Sequence, residues 1–158
     1  MKPHTLWRGH IHYTSRKAGL EGLERGREYF TISLHEDGRR TLRAHCEIDD
    51  APNVMRDVVL TLDKNWITRD AYVRLCVGDT TFGSSWFRFE DTYAECEGIL
   101  HERGRISERI EYEEPPVIFG AHPIQGDAWH LSCIDRSVGP AVHTMGKFLM
   151  SSLIDLLL

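Results

Sequence analysis

Between residues 29 and 112 apolar and polar residues alternate in short stretches, separated by turn-forming groups such as His35-Glu36-Asp37-Gly38 and Gly78-Asp79-Thr80. A period of two sends successive side chains to opposite faces of a strand, so the pattern predicts antiparallel hairpins with one dry and one wet face. Phe30, Ile32 and Leu34 share a face over 28–34, an Asp-Gly turn follows, and Leu42, Ala44, Cys46 and Ile48 return along the partner strand. Val58, Leu60 and Leu62 repeat the one-sided pattern, as do Ala71, Val73, Leu75 and Val77. Over 82–90, Phe82 and Trp86 fall in one register while Phe87 and Phe89 fall in the other, which predicts a central strand or one that faces a ligand. The stretches 93–100 and 105–112 form a last hairpin around Glu102-Arg103-Gly104, and residues 6–14 read as a first strand.

Between these strands, 18–26 contains Gly19, Gly22 and Gly26 and reads as a loop or flap. Residues 49–53, with Pro52, break the ladder, and Val54-Met55-Arg56 add one helical turn. After Pro115-Pro116 the alternation stops, and 117–139 reads as a long irregular connection. From 145 to 158, Lys147, Ser151 and Asp155 align at helical spacing and leave a broad apolar surface that includes Phe148, Leu149, Leu153 and Ile154. As a helix this stretch is about 21 Å long, short of the roughly 20 residues that cross a bilayer, so no transmembrane segment is expected. The fold expected is mainly β: a curved antiparallel sheet or half-barrel of hairpins, with a C-terminal helix as lid or as the interface of a homodimer through residues 145–158. Residues 1–158 are expected to form a single domain.

Composition narrows the function. Cys46, Cys76, Cys96 and Cys133 lie far apart with no Cys-x-x-Cys pair, which argues against a zinc ribbon and a thioredoxin-type centre and for buried thiols in a reduced compartment. The first residues carry no apolar signal core, so a cytoplasmic location is expected. Formal charge is −5 with both signs interspersed, whereas phosphate backbones require a concentrated basic face, so nucleic acid is not expected as a partner. The densest basic cluster, Arg39, Arg40 and Arg43, reads as a solvated strand edge. Without a Gly-x-Gly-x-x-Gly run or a P-loop, no cofactor is expected.

Two constellations carry candidate chemistry. His10 and His12 lie on the same strand face about 6.6 Å apart, a spacing that offers two nitrogen ligands to a metal if a third comes from elsewhere; as plain strand residues they are solvated polar side chains. The segment 119–130 combines His122, Asp127, Trp129 and His130 with Gly120 and Gly126. An aspartate bonded to an imidazole raises its basicity, so Asp127 with His122 or His130 is a candidate acid–base pair. In the structural alternative His122 bonds nearby backbone, Trp129 plugs the core and Asp127 caps a turn.

The run Asn65-Trp66-Ile67-Thr68-Arg69-Asp70-Ala71-Tyr72-Val73-Arg74 resembles the corresponding strand of a glycolipid-binding family whose spiral antiparallel sheet is akin to lipoprotein carriers of the LolA/LolB type. The resemblance covers about a fifth of the chain and implies a curved sheet around an apolar cavity with helices as lid. Three functions are then open. One is binding of an apolar or amphipathic small molecule, lipid-like or aromatic, by Phe82, Trp86 and Trp129, with Arg69 or Arg74 at its polar head. Another is a cofactor-independent lyase, isomerase or hydratase using His122, Asp127 and His130 in the same cavity. The last is a non-catalytic homo-oligomeric interaction module.

Overall fold

The computed structural model describes residues 5–113, which form eight antiparallel strands in one sheet. They are β1 (Thr5–Thr14), β2 (Glu24–Leu34), β3 (Arg40–Ile48), β4 (Val54–Leu62), β5 (Thr68–Val77), β6 (Thr80–Phe89), β7 (Tyr93–Leu100) and β8 (Gly104–Glu111). Their spatial order is their sequence order, so the sheet is an unclosed meander with β1 and β8 at its edges. Among the described residues there is no helix, and no helix is long and apolar enough to cross a membrane. The expected lid or interface helix at 145–158 lies outside the described residues.

The alternation in the sequence maps onto the two faces. On the inner face Leu42, Ala44, Val58, Leu60, Leu62, Ala71, Val73, Leu75, Phe87, Phe89, Cys96 and Ile106 are buried in one cluster. Burying a Val, Leu or Phe side chain contributes about 1.5–3 kcal/mol, and the register stacks these residues strand upon strand: Leu42 lies opposite Leu60, Leu60 opposite Ala71, Ala71 opposite Phe87, and Phe87 opposite Cys96. A charged side chain is fully buried on this face: Glu28, which accepts a hydrogen bond from the Tyr13 hydroxyl.

Three local expectations need correction. Val54, Met55 and Arg56 form no helical turn; they begin β4, paired with Ile48, Glu47 and Cys46, because nine ladder pairs outweigh the local turn tendency of the Pro52 loop. Nor does 18–26 stay a loop to its end, since β2 starts at Glu24. Gly26 is there for space: a Cβ would sit 2.3 Å from the Glu47 carbonyl oxygen on β3. Finally, Phe82 and Trp86 do not share a register. The β5–β6 ladder slips between Leu75 and Cys76, so that Gly83 and Thr81 are paired while Phe82 is the extra residue. Phe82 therefore packs on the core cluster, whereas Trp86 lies on the outer face and stays 40% exposed.

Candidate functional site

The outer face is polar, and the ladder arranges it in rows. One row runs across six strands as Arg8, Thr31, Arg43, Val59, Tyr72 and Trp86, each directly opposite the next. The row beside it runs His10, Tyr29, His45, Asp57, Arg74 and Ser84. Where they cross β1–β4 the two rows line an open depression of about 510 Å3, floored by Gly9, Phe30, Ala44 and Val58 and walled by Arg8, Tyr29, Thr31, Arg43, His45, Asp57 and Val59. Its size lies within the range of small-molecule sites, roughly 300–1,000 Å3.

At the centre stands His45. Its Nδ1 lies 2.7 Å from Asp57 Oδ1 and its Nε2 3.1 Å from Glu47 Oε1. Burial works to lower the imidazole's pKa, but the bonds to Asp57 and Glu47 and the charge of both carboxylates outweigh it, so the pKa is raised. With a carboxylate at each nitrogen, both N–H groups of the protonated ring are taken up and no lone pair faces the depression. The two carboxylates thus favour the charged ring over the neutral one. Glu47 is in turn bonded by Arg27 and by His45, which hold its carboxyl below the usual range. Arg27 extends the chain of ion pairs to Glu24 and Asp49, each at 2.7 Å.

Three arginines of these two rows are uncommitted, whereas Arg88, Arg105 and Arg109 farther along the sheet pair with Glu90, Glu97 and Glu95. Arg8, Arg43 and Arg74 make no ion pair among the described residues; Arg74 stands opposite Asp57, whose carboxylate is engaged by His45. Arg8 and Arg43 flank Thr31, about 10 Å apart from backbone to backbone. Two guanidinium arms at that span close on one carboxylate, sulfate or phosphate, for which the planar guanidinium fork is suited.

The residues singled out from the sequence scatter. Trp86 and Arg74 lie in the two rows, while Phe82 belongs to the other face. Arg69, the extra residue of a bulge in β5, reaches past the sheet end to bond Asp63 with its Nε and Nη2 (3.1 and 2.9 Å) and Asp91 with its Nη1 (2.9 Å). Asp63 also accepts the backbone N–H groups of Asn65 (2.8 Å) and Ile67 (3.1 Å), so Arg69 clamps a turn and is spoken for. That turn carries Trp66 at φ 69°, with the Arg40 guanidinium 3.8 Å above its ring. Arg40 is therefore no solvated edge residue, although Arg39 and Arg43 are exposed. His10 and His12 are exposed neighbours with ring centroids 5.0 Å apart, and His12 lies 3.5 Å from Glu24. No group of three or more His, Cys, Asp or Glu residues able to hold a metal occurs among the described residues. His122, Asp127, Trp129 and His130 lie outside them.

Sequence reasoning missed Arg8, Arg43, His45, Asp57 and Glu47. A signal was present: Arg43, His45 and Glu47 recur at every second position of one strand, which places all three on one face. The chain matches no protein-family model, no curated protein and no solved structure.

Proposed function

We propose that this protein binds an amphipathic small molecule with an anionic head on the outer face of its sheet. The row Arg8–Thr31–Arg43–Val59–Tyr72–Trp86 carries the reading. It passes from two cations without carboxylate partners to an aliphatic and two exposed aromatic side chains. A charged head between Arg8 and Arg43 leaves an apolar body to lie along Val59, Tyr72 and Trp86, where covering partly exposed rings is favourable. This keeps Trp86 and Arg74 as ligand contacts but moves the site from an enclosed hollow to an open face. The acid–base alternative gains nothing from His45, because both of its nitrogens are occupied.

Decanoate and decanol test the reading, since they share an apolar tail and differ in the head. Titration followed by backbone amide NMR should shift the signals of Arg8, Thr31, Arg43 and Val59 with decanoate. The double variant Arg8→Gln/Arg43→Gln should weaken decanoate about tenfold or more, one charge-assisted pair being worth about 1.5–3 kcal/mol before screening, and leave decanol unchanged. Trp86→Ala should weaken both ligands. Shifts confined to other parts of the sheet, or equal decanoate affinity in the arginine variant, would refute it.

A further inference from the structure

The loop between β1 and β2 carries two exposed leucines on a hydrogen-bonded frame. Ser15, 3% exposed, anchors its base. The Ser15 N–H donates to the Leu23 carbonyl (2.9 Å), the Gly22 N–H to the Ser15 carbonyl (3.0 Å), and the Lys17 N–H to the Ser15 hydroxyl (3.1 Å). Inside this frame Leu20 N–H donates to the Lys17 carbonyl (3.0 Å) and Leu23 N–H to the Leu20 carbonyl (3.2 Å). Gly19 and Gly22 both adopt φ +78°, a conformation that side chains disfavour, so the two consecutive turns depend on glycine. Yet this well-bonded loop leaves Leu20 48% and Leu23 57% exposed. Its backbone bonds hold both leucines three residues apart and turned to water. Beyond Ser15 the exposed Arg16 and Lys17 make no ion pair among the described residues.

We propose that this loop is a membrane-touching element that inserts Leu20 and Leu23 among the acyl chains of an anionic lipid surface. Two exposed leucines offer far less area than the roughly 1,000 Å2 that a specific protein interface clears, whereas a fluid lipid phase closes around exposed side chains without needing a shaped pocket. Arg16 and Lys17, exposed on the same loop, would attract anionic headgroups. Glu21, exposed between the leucines, opposes that attraction. Glu24 opposes it less, since Arg27, shared with Glu47 and Asp49, lies 2.7 Å from its carboxylate. The result is weak, reversible contact, because stable anchoring takes more than one modest apolar signal. The inference is independent of the ligand row, which shares no residue with the loop.

Sedimentation with vesicles tests it, using the full chain and phosphatidylcholine vesicles with or without about 30 mol% phosphatidylserine. The chain should partition onto the anionic vesicles more strongly than onto the neutral ones. Leu20→Ser/Leu23→Ser should lower partitioning about tenfold or more, Arg16→Gln/Lys17→Gln should abolish the preference for anionic vesicles, and Glu21→Gln should strengthen it. All these side chains are exposed, so the variants should retain the unfolding midpoint of the parent. Because the apolar stretch 145–158 could itself bring the chain to lipid, the deciding quantity is the difference between parent and leucine variant. Equal partitioning of the two, or no partitioning of the parent, overturns the proposal, and a partner protein captured only by the intact loop would do the same.

Discussion

Replacing His45 by Gln should weaken the fold at low pH and matter less as pH rises. The imidazole is bonded at 2.7 Å to Asp57 and at 3.1 Å to Glu47, with 38% of its side chain exposed to water. A partly exposed ion pair contributes about 0.2–1 kcal/mol after screening, so the two together are worth about 1 kcal/mol. Because the folded pKa lies above the ordinary value of about 6.5, the protonated ring stabilises the native state fully below that value. The contribution is then lost as pH rises through the folded pKa. Glu47 does not confuse the reading, since Arg27 and His45 keep it ionised well below this window. Urea unfolding of the parent and His45→Gln at about pH 6 and about pH 8.5 measures the effect. The gap between them should be wider at the lower pH by up to about 1 kcal/mol. A gap that is constant, or that widens with rising pH, would refute the reasoning, because the two carboxylates would then not favour the protonated ring in the folded protein.

Gly98→Ala should lower the melting temperature by several degrees, because the new Cβ would stand 2.5 Å from the Ser85 hydroxyl and 2.6 Å from the Ser84 carbonyl oxygen, and such overpacking costs about 1–3 kcal/mol; an unchanged melting curve would contradict it. Asp63→Ala removes the acceptor of two backbone N–H groups and of Arg69, and denaturant unfolding should register a loss of about 2 kcal/mol. Cys46 and Cys96 are both pushed up to about 11, chiefly by burial and secondarily by the charges of Glu28 and Glu108 respectively. At about pH 8 both should resist iodoacetamide in the native protein and react once unfolded, as peptide mass spectrometry would show; native labelling at the unfolded rate would count against their burial.

Strand existence was legible in the chain because each strand buries one face, and a buried face imposes a period of two that no other constraint disturbs. Strand ends were less so. Residues 24–27 and 54–56 look irregular in isolation, since Gly26 and Pro52 signal loops locally, and only pairing with neighbouring strands makes them extended. The slip at Phe82 was invisible for a related reason: a bulge changes no residue type, yet it reverses which face an aromatic residue occupies. The candidate site lay beyond periodicity altogether. Arg8, Arg43 and Trp86 come from three different strands, and which of them stand in line depends on ladder register, a property of pairs of segments. Within a single strand the grouping was readable, as the alternate Arg43, His45 and Glu47 demonstrate.

Every ladder in this sheet joins segments adjacent along the polypeptide, and this bears on how the molecule is made. Closing each hairpin requires only a short excursion of chain, so little loop entropy is lost before contacts reward it. The sheet can grow by zippering, each completed strand serving as template for the next to leave the ribosome. Assembly of the row from Arg8 to Trp86 would follow the same timetable: its arginine end, on β1–β3, is in place before its aromatic end has been synthesised.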